Sequence, residues 1–218
     1  MKKNNLTISL LIDEAKSFAI AESQHKEKSL FGITDGKAVG TYLEHKFQDV
    51  LTSKYLYVRG SSASGVDFPD LEVDIKTTNI TQPQSSCPFK SARQKVYGLG
   101  YNLLVFIYEK TDDRKTKTAS LNILHVIFIE SRHTADFQTT SGLLTILDNQ
   151  GNKDDIAAFL NDRNLPLDTI QASQLADEIL TSRPPLGWLT ISNALQWRLQ
   201  YARVIEKAGN VEGVVRVK

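Results

Sequence analysis

Only one of the 218 residues, Cys87, is a cysteine. A single thiol closes no intramolecular disulfide and builds no cysteine zinc cluster, so an intracellular, cytoplasmic protein is the simplest expectation. An excess of one charge is also missing. Lys and Arg number 26 against 25 Asp and Glu, for a formal net charge of +1, so no global basic field announces a nucleic-acid partner, although a local basic cleft remains compatible with that balance. Long apolar runs are absent as well. The start, MKKNNLTISLLIDEAKSFAI, is interrupted at Asp13, Glu14 and Lys16, which suits an amphipathic helix better than a secretion signal, and no segment is long and apolar enough to cross a bilayer. The four histidines, at 25, 45, 125 and 133, have no zinc-type spacing. What is present, 41% hydrophobic and 23% charged residues, is the composition of a soluble globular chain with room for a sizeable core.

Apolar spacing predicts helices over 8–23, with Leu10, Leu11, Ala15, Phe18 and Ala19 on one face, and over 36–51, with Val39, Tyr42, Leu43, Phe47 and Val50. Residues 55–58 read as a short strand before the turn-rich GSSASG, and a charged strand follows it. Ser86 before Pro88 resembles a helix start, continued by Phe89, Ala92, Val96 and Tyr97 until GLG stops it. NLLVFIYE (102–109) and LNILHVIFIE (121–130) read as buried strands separated by a solvated insert, KTDDRKTKTAS. Beyond Ala135 the segments turn polar and helix-like, over 154–161, 171–182 and, after RPPLG, 190–208, with a closing strand over 211–217. The expected class is α/β, a mixed central sheet flanked by helices, with a mostly helical C-terminal region.

The densest chemistry lies in GVDFPDLEVDIKTT, residues 65–78. Leu71, Val73 and Ile75 alternate with Glu72, Asp74 and Lys76, so a strand here turns aliphatic side chains to a core and charges to a shared face. Adjacent acids repel one another, and a core beside them raises the cost of ionising them, so the arrangement suits a divalent metal with oxygen ligands. Asp67, in the turn entering the strand, can fold back toward Asp74 as a second ligand. Asp70, after Pro69, is its rival. A carboxylate pair holding Mg²⁺, with Lys76 two residues along the same face, is what phosphodiester hydrolysis requires: the metal polarises the phosphoryl oxygen, and the ammonium orients water or offsets charge on the phosphate.

DIK at Asp74 to Lys76, the upstream acid at Asp67 or Asp70, and the order of elements resemble the PD-(D/E)xK nuclease superfamily and its αβββαβ core. Size, the run GVDFPDLEVDIKTT and the following QPQSSCPFKSARQKVYGLGY look most like a Type II restriction endonuclease. The resemblance implies Mg²⁺ on Asp67 and Asp74, with Glu44 of GKAVGTYLEHKF as an auxiliary acid, and cleavage of double-stranded DNA at a short specific sequence. It also implies a homodimer, since both strands of a palindrome must be cut, and a cognate DNA methyltransferase in the same system. On that reading residues 1–134 form the catalytic core, and 135–218 form a helical region for DNA recognition or dimerisation, packed on the core.

Gln82, Gln84, Ser85, Ser86, Lys90, Arg93 and Lys95 offer side chains suited to phosphates and purine edges, and are the expected DNA-binding set. The helices over 171–182 and 190–208 could form a helix-turn-helix-like pair presenting Arg198 and Arg203, although Leu195, Leu199, Ala202 and Ile205 fit simple docking on a core better. Trp188 and Trp197 read as packing residues. Three rival readings are a solvated edge strand with no metal, a non-catalytic DNA-binding module that uses the C-terminal helices, and a repair nuclease of the same fold that reads DNA structure in place of sequence.

Overall fold

Thr7 starts the first helix because its side chain accepts the otherwise free amide of Leu10, and Asp35 starts the second by accepting from Lys37 and Ala38. The computed structural model describes residues 3–60, 65–87, 90–192 and 197–218. In chain order they form β1 (Asn4–Asn5), α1 (Ile8–Ser23), β2 (Lys26–Glu27), α2 (Gly36–Lys54), β3 (Tyr55–Leu56), a 3-10 turn over Pro69–Leu71, and β4 (Val73–Asn79). Then come β5 (Gln84–Cys87), α3 (Gln94–Tyr97), β6 (Asn102–Asp113), β7 (Thr118–Ile129), a 3-10 turn over Ser131–His133, and α4 (Phe137–Asp148). The chain closes with α5 (Lys153–Asp162), α6 (Thr169–Thr181), β8 (Thr190–Ile191), β9 (Trp197–Gln200), α7 (Ala202–Lys207) and β10 (Val214–Arg216). The architecture is mixed α/β, as expected.

Two units divide the chain. The first gathers Met1–Ser85, Leu103–Ile129 and Ala208–Lys218. Its sheet runs β10-β7-β6-β4, with β2 also on β7, and β6, β2 and β10 all pair antiparallel to β7. Helix α1 packs on β7 and α2 on β4. Phe18 of α1, Phe47 of α2 and Phe106 of β6 meet with ring centroids 5.1 to 5.9 Å apart, joining both helices to the sheet in one apolar cluster. Glu22 is buried in α1, but Lys46 Nζ lies 2.7 Å from one of its oxygens and Tyr42 donates to the other at 3.0 Å. That pairing fixes α2 against α1.

The second unit comprises Ser86–Asn102 and Glu130–Lys207. Helices α4, α5 and α6 enclose Leu143, Ile156, Leu160, Leu175 and Ile179, with Ala92 and Val96. Asp136 is its buried hinge point: one carboxylate oxygen caps α4 through Thr139 and the other accepts Ile191 N at 2.8 Å.

Several elements differ from the sequence reading. The helix expected from Ser86 onward shrinks to the four residues of α3, while Gln84–Cys87 is extended. A residue preceding proline is pushed out of the helical region, and Cys87 precedes Pro88. The insert expected between the two long strands is mostly strand. β6 runs through Asp113 and β7 begins at Thr118, leaving four turn residues, in which Asp113 accepts the amides of Lys115 and Thr116 and Lys117 takes φ 51°. The helix expected over 190–208 is two short strands followed by α7. In WRLQ, burial alternates residue by residue, a period of two that a helix-length window conceals. A helix-turn-helix pair is therefore not formed, and Trp197 is buried as a packing residue. α4 is a helix that the sequence reading did not single out. Four residues of the Gly/Ser turn, the Pro88 and Phe89 positions and Leu195 lie outside the described residues.

Candidate active site

The turn before β4 brings the acids together. Phe68 and Val73 exchange backbone hydrogen bonds of 2.9 and 3.2 Å across the Pro69–Leu71 turn, and Glu72 completes the reversal in the left-handed region at φ 51°. The chain thus doubles back within five residues. Asp67 consequently lies beside β4, where its Oδ2 accepts Ile75 N at 2.7 Å. Asp70 stays on the outside of the turn, exposed, in a groove lined by Asn5, Leu6, Leu56, Tyr57 and Leu71. Glu72 is also exposed and does not share the face of Asp74. The regular alternation expected from Leu71 onward therefore begins only at Val73.

Glu44 reaches the same place from α2. Gly40, one turn earlier, lies so close to β4 that an added Cβ would sit 2.5 Å from Thr77 Oγ1. A side chain at this position would have to displace the Thr77 hydroxyl. Residues four apart share a helix face, so Glu44 projects beside the strand, and its carboxyl shares a hydrogen bond with Asp67, which shares one with Asp74. Lys76 Nζ lies 2.5 Å from Asp74 Oδ2.

Burial sets the electrostatics. Asp74 is 4% exposed, and desolvation pushes its carboxyl from 3.8 up to about 7 against the pull of Lys76, with Asp67 adding to the rise. Glu44 goes from 4.5 to about 7 because it is desolvated and faces Asp67. Asp74 Oδ2 is held by the Lys76 ammonium as a close ion pair. Asp74 and Glu44, two carboxyls that resist ionisation, stand with Asp67 as hard oxygen donors of the kind a divalent cation takes. Among the described residues no group of three His, Cys, Asp or Glu side chains is placed to hold a metal ion: Asp67 Oδ2 is engaged by Ile75 and Asp74 by Lys76. A magnesium-type ion needs only one or two carboxylates, with water and phosphate oxygens completing the shell.

The expected DNA-binding residues are placed unevenly. Gln82 is exposed, and Gln84 and Ser85 are half-buried; the backbone of Gln84 is pinned by Thr78 Oγ1 at 3.0 Å. In the second unit Ser86, Lys90 and Arg93 are exposed, and Lys90 and Arg93 line an open groove of about 420 Å³ with Gln171, Gln174 and Glu178 of α6. Arg93 is held there by Glu178, at 2.6 to 3.1 Å. Lys95 does not face a ligand. It is 2% exposed, donates to Ile191 O at 3.0 Å and lies over the Trp197 ring. Its place in an apparently polar run concealed that it falls on the buried side of α3.

Sequence reasoning passed over Gln48, which lies one turn beyond Glu44 on the same face of α2. It is 4% exposed, and its Oε1 accepts Arg59 Nε at 2.6 Å. The spacing Gly40, Glu44, Gln48 was the available signal.

Comparison with known proteins adds to this geometry. The family model described as Type II restriction enzyme NspV matches residues 5–216. The Type II restriction enzyme NspV of Nostoc sp. (strain ATCC 29411 / PCC 7524) is 60% identical over 212 residues, covering 97% of this chain and 96% of that protein. No solved structure matches the chain.

Proposed function

The chain belongs to the Type II restriction enzyme NspV family, and from that premise we propose that it cuts double-stranded DNA at a short sequence with Mg²⁺ held by Asp67, Asp74 and Glu44. The observation that carries the assignment is the junction of these three carboxyls, drawn from a turn, a strand and a helix, with Lys76 against Asp74. The arrangement resembles that of the PD-(D/E)xK superfamily, with Asp67 read as the first acid and Asp70 left out.

When bound, the metal supplies Lewis-acid stabilisation of the charge that grows on the phosphoryl and leaving oxygens. Asp74 and Glu44, pushed up to about 7, would have to be deprotonated to hold the metal, so its binding would strengthen as pH rises. Asp67 is kept in register by the Ile75 amide. Lys76, against Asp74 in this structure, would be placed to orient the attacking water or to meet the phosphate charge. Gln82, Gln84, Ser85, Ser86, Lys90 and Arg93 supply contacts to DNA, Arg93 after release from Glu178.

Cutting both strands of a palindrome calls for two copies of this site, hence a homodimer in which the segment 135–218 contributes recognition or dimer contacts. A methyltransferase of the same specificity protects the host DNA. The enzyme acts in the cytoplasm. No described helix is long and apolar enough to cross a membrane. The test is digestion of a fully sequenced phage genome with Mg²⁺, followed by sequencing of the fragment ends. Defined fragments with wild type and none with Asp74→Ala are expected; ragged products, or equal cutting by both proteins, would refute the assignment.

A further inference from the structure

The geometry points to Arg59 as a phosphate clamp for the strand being cut, aimed by Gln48; this rests on the metal-centre reading above. Gln48 is a buried amide on the face of α2 that carries Glu44, one turn or about 6 Å farther along. Its Oε1 accepts Arg59 Nε at 2.6 Å, while Arg59 itself is exposed. On the chain side, Gly60 follows Arg59 at once and donates its amide to Asp67 O at 2.8 Å. Arg59 is therefore held by a side chain one helical turn from Glu44, and its backbone neighbour is bonded to Asp67.

The tether leaves the working end free. An arginine has five N–H donors in a planar fork. With Nε committed to Gln48, the four donors on Nη1 and Nη2 have no partner among the described residues and present the end-on edge that pairs with two phosphate oxygens. The bond is not needed to dock this segment: Tyr57 already donates to Gln48 O at 3.1 Å, and Leu6 N to Leu56 O at 2.9 Å. What Gln48 adds is orientation of a cation. Beside a cluster of carboxylates, an undirected arginine would fold onto the acids and compete with the metal; an amide acceptor, being neutral, holds the guanidinium aside without quenching its charge.

The test is single-turnover cleavage with Mg²⁺ of a duplex bearing the recognised sequence, together with binding of that duplex in Ca²⁺. Arg59→Ala should lower the cleavage rate constant 10- to 100-fold while weakening binding less than tenfold. Arg59→Lys should restore binding but less than a tenth of the rate, because an ammonium lacks the fork. Gln48→Leu should slow cleavage like Arg59→Ala, and the double variant should be no slower than Arg59→Ala alone. Thermal unfolding of each variant separates misfolding from lost aim. Wild-type rates in Arg59→Ala, or a Gln48→Leu effect that persists undiminished in the Arg59→Ala background, would overturn the clamp. Should Asp74→Ala also cut normally, the metal-centre reading has failed; should Asp74→Ala be dead, only the clamp has.

Discussion

Replacing Asp74 with Asn should destroy cleavage and, in the absence of metal, make the fold more stable. The buried carboxyl titrates at about 7 in the folded chain against 3.8 when unperturbed. Each pH unit between those values makes the ionised form less favourable by roughly 1.4 kcal/mol relative to the unfolded chain, on the order of 4 kcal/mol at pH 8. Asn keeps the shape without that charge, but it leaves Lys76 without its 2.5 Å partner. The pull of Lys76 is already contained in the raised value, so a gain on the order of 4 kcal/mol remains, or roughly 8 to 16 °C in Tm for a chain of this size. The sign with pH follows from linkage. A carboxyl with a raised folded pKa contributes fully below its unfolded value and loses that contribution as pH climbs toward 7. Metal-free wild type should therefore lose stability from about pH 4 to 7, with Glu44 acting in the same direction, while Asp74→Asn should show a shallower slope. Scanning calorimetry in a chelator at pH 4.5 and pH 8 measures both. Adding Mg²⁺ at pH 8 should raise the Tm of wild type and not of the variant. A variant no more stable than wild type at pH 8, or a difference independent of pH, would refute the claim that this acid is strained by burial.

Gly40→Ala places a methyl 2.5 Å from Thr77 Oγ1 and should lift Glu44 away from Asp67; a tenfold or greater loss of kcat, largely restored by adding Thr77→Ala, is the expected result in a plasmid-cleavage assay. Phe106→Ala removes a buried ring from the Phe18–Phe47–Phe106 cluster and should cost about 3 to 5 kcal/mol in urea unfolding. Lys95→Met replaces a buried cation, its pKa lowered by desolvation, with an apolar chain of similar length. DNA affinity should stay within twofold of wild type, in contrast to Lys90→Ala and Arg93→Ala, and a large loss would show that Lys95 leaves its pocket to meet DNA.

How much of this was legible in the sequence depended on how far apart the cooperating residues lie. α1, α2 and the two long strands follow from local apolar spacing, and the strand ends moved where polar threonines and acids continued a ladder that hydrophobicity alone could not register, as at Thr111 to Asp113. Asp67, Asp74 and Lys76 are close in the chain, so a turn and a strand suffice to bring them together, and Pro69 with Glu72 encodes that turn. The preference for Asp67 over Asp70 was not legible, because it depends on which side of a five-residue reversal each acid falls, and that is set by the Phe68–Val73 hydrogen bonds. Gln48 and Arg59 lie eleven positions apart on different elements, and their meeting needs the tertiary path of the segment after α2. Lys95 failed for the opposite reason. Its surroundings in sequence are polar, but its partners Ile191 and Trp197 arrive from about a hundred residues away. A charged side chain in a polar run is therefore weak evidence for a ligand surface, whereas acids that interrupt an apolar strand are strong evidence for a site. Burying the latter costs several kcal/mol, and only a compensating ion or proton explains why the chain would keep them there.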